Sequence, residues 1–246
     1  MGTFRRRYAV NIMGLAHSPK IITDGLVLCL DAADIKSYPG SGTTWTDRSG
    51  SDYNGTLVNG AVFNSVDKSI ELDGTNDNID LGADKVIKTS GGWTVDSWVK
   101  FDTIPGSWNN VTSPGNFIGS GSISYNSWFW SVLSGKLALW NISPGIWKYG
   151  STTLQATKWY NVVLVCNDSG TSYQMYLNGI AEGGNHTSYA WNATYAGLKI
   201  RYIGHGNSGN VRLVDGAFAT TRAYDRVLTA DEVLQNYNAT KSRFEL

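Results

Sequence analysis

The stretch WTVDSWVKF, residues 93–101, restricts the fold more than any other part of the chain. In an extended strand Trp93, Val95, Val99 and Phe101 share one face, while Thr94, Asp96, Trp98 and Lys100 share the other. A helical period would mix these two sets, so the stretch is expected to be a half-buried strand. The same theme recurs along the chain. GLVLCLDA from Gly25 is an apolar run suited to a sandwich strand, followed by loops dense in Gly, Ser and Asp (YPGSGTTW and DRSGSDYNG). SWFWSVLSGKLALWNI reads as a hairpin turning at Ser134, Gly135 and Lys136. WYNVVLVCND and SYQMYLNGIAEGG form a second pair across DSGT, and VRLVDGAFATTRAYDRVL supplies a long last strand. No linker, repeat or low-complexity segment divides residues 21–246. The expectation is one all-β domain, an antiparallel two-sheet sandwich, with residues 1–20 as a separate N-terminal arm.

One helix is expected, at about residues 229–239 in LTADEVLQNYN. Thr229 can cap it while Glu232 reaches back to the Thr229 N–H, forming a capping box, and Leu228 can pack on Val233 as a hydrophobic staple. Val233, Leu234 and Tyr237 would then turn an apolar face to the sandwich.

Composition removes several function classes. Lys and Arg number 20 and Asp and Glu 20, so the formal net charge is zero, and no global field draws the chain to nucleic acid or anionic membranes. No run approaches the roughly 18 apolar residues of a membrane-spanning helix. His17, His186 and His205 lack metal-ligand spacing, and Cys29 and Cys166 each sit in an apolar run, where a cysteine behaves as a small hydrophobe. The first twenty residues carry Arg5, Arg6 and Arg7 with Phe4, Tyr8 and Ile12. They are expected to form an extended arm that adds backbone hydrogen bonds and charge-assisted pairs on a neighbouring subunit.

Two groups of residues are candidates for chemistry. In SIELDGTNDNIDLG, residues 69–82, Glu71 and Asp73 fall on one strand face and run into an Asp-Gly turn. Asp73, Asn76, Asp77 and Asp80 also offer closely spaced oxygen ligands for a structural calcium ion, although the stretch lacks the closing Glu of an EF-hand; the competing reading is a solvated turn. The second group is aromatic. The chain has 10 Trp and 13 Tyr against 7 Phe, so most of its rings carry a polar handle suited to a surface. Trp108, Tyr125, Trp128, Trp147, Tyr149, Tyr189 and Trp191 fall in or beside expected loops and could stack on sugar rings; the alternative is that they fill the sandwich or a subunit contact.

Several stretches together resemble the laminin-G-like, concanavalin A-like jelly roll: WTVDSWVKF, KWYNVVLVCND (158–168), MYLNG (175–179) and VDGAFATTRAYDRVLTADEVLQNYN (214–238), in the family's order and spacing. The turn carries Asn178 where the family often has Asp. The resemblance covers roughly residues 24–240 and implies a jelly-roll sandwich. Laminarinase-type glycosidases on this fold carry Glu-x-Asp-x-x-Glu on one strand. Here Asn76 occupies the second Glu position, and a neutral amide cannot exchange the proton, so no catalytic activity is expected. The stretch GLAHSPKIITDGLVLCLDAADIKSYPGSGTTWTDRSG and the ending NATKSRF are also similar to laminin-G-like structural proteins of tailed bacteriophages. That similarity implies a virion component, in head decoration or in a tail or fibre appendage, with other virion proteins and further copies of itself as partners and a host-surface glycan as a ligand. A secreted, non-catalytic carbohydrate-binding or adhesion module is the alternative.

Overall fold

A computed structural model describes residues 19–104, 117–119, 128–141, 146–167, 172–183, 197–206 and 213–246. They form an antiparallel jelly-roll sandwich with one C-terminal helix. In chain order its strands are β1 (Leu26–Asp31), β2 (Thr44–Trp45), β3 (Gly55–Val58), β4 (Val62–Asn64), β5 (Ser69–Asp73), β6 (Asn78–Lys88), β7 (Trp93–Phe101) and β8 (Ile118–Gly119). They continue with β9 (Trp128–Leu133), β10 (Lys136–Asn141), β11 (Ile146–Tyr149), β12 (Trp159–Cys166), β13 (Tyr173–Leu177), β14 (Ile180–Glu182), β15 (Leu198–Ile203) and β16 (Asp215–Tyr224). The helix α1 (Ala230–Thr240) runs into a 3-10 turn over Lys241–Phe244. None of the described helices is long and apolar enough to cross a membrane.

The first sheet has the order β14-β13-β12-β7-β16-β5-β4, with β1 beside β5 on the same edge of β16. The second layer comprises β2-β3-β6-β15-β8 and the ladder β11-β10-β9. Phe117 bridges the two: its N–H donates to Trp130 O and its carbonyl accepts from Gly204 N–H, both at 3.0 Å. Between the layers lie Leu28, Trp45, Ile79, Val95, Val99, Phe101, Phe117, Trp130 and Phe218, all fully or almost fully buried. The expected hairpins form. Ser134 and Gly135 turn between β9 and β10 with φ of 52° and 73°, a pair of left-handed residues that matches the right-handed twist of the strands.

The expectation of a half-buried β7 fails in an informative way: all of its residues except Lys100 are buried. Its outer face is roofed by α1 and the 3-10 turn. The Trp98 indole stacks on Phe244 at 4.0 Å and on Tyr237 at 5.8 Å, and its Nε1–H donates to Thr240 Oγ1 at 2.8 Å. Beneath α1 the Asp96 carboxylate accepts from Asn161 Nδ2 at 2.7 Å, Asn236 Nδ2 at 3.2 Å and Arg222 Nη1 at 3.3 Å. The capping box at Thr229 and Glu232 is present, and Leu228 and Val233 lie in one apolar cluster. The expected helix face is rotated, however. Asn236 is buried in the polar cluster whereas Leu234 is 41% exposed, because the Asp96 carboxylate needs an amide donor where a leucine would leave it short.

The root of the expected arm is fixed to this roof. Ile22 N–H donates to Asn236 Oδ1 at 2.8 Å, Tyr224 OH donates to Ile22 O at 3.1 Å, and Gln235 Nε2 donates to Lys20 O at 2.8 Å. Phe4, Arg5, Arg6, Arg7, Tyr8 and Ile12 lie outside the described residues. Cys29 and Cys166 are both buried, and neither takes part in a disulfide.

Candidate functional site

The outer face of the second sheet carries a row of paired positions across five strands: Thr44, Thr56, Asp80, Tyr202 and Gly119. Alternation places them there. Ile79 and Leu81 point into the core, so Asp80 between them points out, and Ile200 and Ile203 fix β15 in the same way. Between these two isoleucines the strand carries two consecutive half-buried residues, Arg201 and Tyr202, which strict alternation would send to opposite faces. The ladder explains it. Ile200 pairs with Lys85 and Tyr202 pairs with Asp80, so residues 81–84 of β6 bulge opposite Arg201, with Gly82 at φ +80° supplying the left-handed turn.

The bulge gathers unlike groups. Arg201 Nε and Nη2 donate to Asp80 Oδ1 at 3.1 Å and Oδ2 at 3.3 Å, and Gly82 N–H donates to Oδ1 at 2.8 Å. The Asp80 bond raises the pKa of Arg201 further above its ordinary value, so the guanidinium stays charged. It lies 4.9 Å from the centre of the Tyr202 ring, and His205 packs on that ring at 4.8 Å and 43°. His205 Nδ1 contacts Gly206 O; a carbonyl only accepts, so Nδ1 carries the hydrogen, and in the neutral ring Nε2 is an acceptor. Next to Tyr202 the row ends at Gly119, where a Cβ would lie 2.6 Å from the carbonyl oxygens of both His205 and Gly206. Glycine is therefore required, because the backbone of His205 and Gly206 packs directly over this end of the row. A paired carboxylate and guanidinium, a phenol and an imidazole at one surface suit recognition of hydroxyl-rich ligands better than proton transfer.

The acidic stretch is divided between two places. Glu71 and Asp73 share a face, as expected. With Asp77, Asp102 and Asp215 they line a pocket of about 220 Å³ at the end of the first sheet. Most of these carboxylates serve the chain itself: Glu71 Oε1 accepts from Asn64 Nδ2 at 2.6 Å, Asp73 Oδ1 from Thr75 N–H at 2.8 Å, and the buried Asp77 from Gly60 N–H at 2.7 Å and Asp73 N–H at 3.1 Å. The Thr75 N–H holds the Asp73 carboxyl below the ordinary range. Asp102 goes the other way, raised by desolvation and by the charges of Asp215, Glu71 and Asp67 against the pull of Lys100. Asp80, the fourth residue of the expected calcium set with Asn76, lies on the other sheet and is occupied by Arg201. Among the described residues no group of three or more His, Cys, Asp or Glu side chains is placed to hold a metal ion.

Of the expected aromatic residues, Tyr149 is 40% exposed near the end of β11. Trp147 lies in β11 opposite Trp140, and Trp128 opens β9 opposite Asn141. Trp108, Tyr125, Tyr189 and Trp191 lie outside the described residues. Sequence reasoning missed Tyr202, Arg201 and His205. Their signal was the break of alternation in LKIRYI, where two large polar-tipped residues stand side by side in an otherwise regular strand.

A family model described as the concanavalin A-like lectin/glucanases superfamily matches residues 73–234. No curated protein sequence matches the chain. Among solved structures, a Trypanosoma rangeli sialidase mutant displaying trans-sialidase activity is similar with a TM-score of 0.64 at 15% identity, over 91% of this chain but 34% of that one. Domain 4 of AbnA, a GH43 extracellular arabinanase from Geobacillus stearothermophilus in complex with arabinotriose, matches with a TM-score of 0.62 at 18% identity, over 86% of this chain and 98% of that one. The botulinum neurotoxin serotype D binding domain matches with a TM-score of 0.58 at 16% identity, over 89% and 53% of the two chains. At these identities the likeness is one of fold. The chain spans about a third of the sialidase and about half of the toxin domain.

Proposed function

The chain belongs to the concanavalin A-like lectin/glucanases superfamily, and on that premise we propose that it is a non-catalytic carbohydrate-binding domain with its ligand at Asp80, Arg201, Tyr202 and His205. The observation that carries this reading is the bulge opposite Arg201, which gathers Asp80, Arg201, Tyr202 and His205 on one face. The AbnA domain, solved with arabinotriose and matched over nearly its whole length, supports the ligand class. The non-catalytic part rests on Asn76 at the position of the second glutamate and on the hydrogen bonds that commit Glu71, Asp73 and Asp77 to the chain's own groups. A glycan array with the wild type and Tyr202→Ala tests the reading: it expects glycan binding that the substitution reduces at least about tenfold, and no reducing-end products after prolonged incubation. Binding unchanged in Tyr202→Ala refutes the site, and released product refutes the non-catalytic assignment.

The fuller role is that of a tailed-phage virion component, in head decoration or a tail or fibre appendage, located on the particle and joined to other virion proteins and to further copies of itself through residues 1–20. It is supported by the similarity of the two chain ends to such proteins and by the anchorage of Lys20 and Ile22 on α1, which gives a preceding arm a fixed point of departure. Deleting residues 2–19 should leave the melting temperature unchanged and abolish incorporation into particles. Normal occupancy without the arm would move the contact to the sandwich faces. A chain found only as a secreted protein would replace the virion role with that of an extracellular adhesion module.

A further inference from the structure

On the other side of the molecule, a groove of about 600 Å³ runs between the loop joining β11 to β12 and the C-terminal turn. We propose that this groove is a second binding site, for a neutral oligosaccharide; the ligand class rests on the carbohydrate-binding reading above, the site does not. The volume lies within the roughly 300–1,000 Å³ typical of small-ligand sites.

The groove is built rather than incidental. Its loop wall is held by a single carboxylate: Glu182 Oε2 accepts from the N–H groups of Ser151 at 2.7 Å and Thr152 at 2.9 Å and from Ser151 Oγ at 3.0 Å, while Oε1 accepts from Thr152 Oγ1 at 2.7 Å. Burial pushes the Glu182 carboxyl up, but these four donors outweigh it and the group titrates below its ordinary range. Further along the loop, Leu154 N–H donates to Gly135 O at 2.7 Å, Gln155 N–H to Tyr160 OH at 2.8 Å, and Thr157 N–H to Phe101 O at 2.7 Å. Thr157 is held at φ +63°, a left-handed conformation that a β-branched residue adopts only under constraint. A loop pinned this often presents its side chains in one arrangement before any ligand arrives, which lowers the ordering cost of binding.

Those side chains fit a neutral sugar. Thr153, Gln155 and Lys158 are exposed along the wall, and Asn178 lines the same groove. Asn178 Oδ1 already accepts from Asn161 N–H at 2.9 Å, so its amide nitrogen is the group left to donate. The Trp159 and Phe244 rings, 4.8 Å apart, give the floor its apolar surface. Hydroxyls and amides over an aromatic floor match the alternating hydroxyl and C–H faces of a sugar. A phosphate or sulfate group would meet one lysine, Lys158, in a lining that also holds Glu245, a charge balance that favours no anion.

The test uses an array of neutral gluco-, galacto-, manno- and arabino-oligosaccharides with four proteins: wild type, Tyr202→Ala, Gln155→Trp and the double variant. Position 155 is exposed, so the indole fills the groove without entering the core, and unchanged melting temperatures verify this. The expected result is a set of glycans still bound by Tyr202→Ala, weakened at least about tenfold by Gln155→Trp and lost in the double variant. Binding that disappears entirely in Tyr202→Ala, or that Gln155→Trp leaves intact, overturns the groove while the first site stands. A wild type that binds none of the array overturns the groove and leaves the first site to be judged on charged glycans.

Discussion

Replacing Asp96 with alanine should be among the most damaging single changes in the molecule. The Asp96 and Arg222 side chains are 0% and 1% exposed and lie at paired positions of β7 and β16 beneath α1. Burial alone would lower the pKa of Arg222, but the Asp96 charge more than offsets it, so the guanidinium remains charged in the closed structure. An exposed ion pair is worth less than about 1 kcal/mol, and its loss would hardly register. Here the substitution strands a buried cation, at a cost of about 3–5 kcal/mol, and removes the acceptor of Asn161 and Asn236. At roughly 2–4 °C per kcal/mol for a domain of this length, the melting temperature should fall by about 6–20 °C, read by tryptophan fluorescence or calorimetry. The double variant Asp96→Val with Arg222→Met also deprives Asn161 and Asn236 of the Asp96 acceptor but removes the stranded charge, so it should be more stable than Asp96→Ala alone. A loss under about 1 kcal/mol for Asp96→Ala, or a double variant that melts below it, would refute the reasoning.

Other outcomes follow from the same structure. Thr229→Ala removes the helix cap and should cost about 0.5–2 kcal/mol in urea denaturation; an unchanged midpoint would contradict the capping box. Arg226, bonded to both Glu232 oxygens at 2.9 and 2.7 Å, together with the Thr229 N–H, holds the Glu232 carboxyl down at about 2. Because this folded-state pKa lies below the unfolded one, the stabilisation is present above the unfolded pKa and is lost as pH falls through about 2. The advantage of wild type over Glu232→Gln should therefore be full above about pH 5 and absent below about pH 2, measured by denaturation across that range. Cys29 and Cys166 should react with a thiol reagent only after denaturation, two equivalents per chain, and fast labelling of the native protein would contradict their burial.

Much of this was legible in the chain, for reasons that can be located. Periods of two residues and paired left-handed turn positions are local properties, so the strands, the hairpin at Ser134 and Gly135 and the capped helix could be read from residues a few positions apart. What could not be read depends on distant partners. Trp98 reads as a surface residue because nothing in WTVDSWVKF reveals that Phe244 will stack on it. Leu234 reads as a core residue because the need for Asn236 arises only once Asp96, Arg222 and Asn161 lie beneath the helix. The same holds for the site. Asp80 belongs, by sequence spacing, with Asp73 and Asp77, yet strand alternation and a bulge assign it to Arg201 on the opposite sheet. The expected aromatic residues fall in or beside loops, whereas Tyr202 stands within a strand whose register is set by residues more than a hundred positions earlier.

The central claim, that the outer face of the second sheet binds carbohydrate, is tested most directly by titrating an array-selected glycan into ¹⁵N-labelled protein and following amide chemical shifts. The account predicts saturable shifts at Thr56, Asp80, Gly119 and Arg201 to His205, abolished in Tyr202→Ala, with the glycan recovered intact. Shifts confined to the pocket of Glu71, Asp73, Asp102 and Asp215, with none along the row from Thr56 to Gly119, would contradict it.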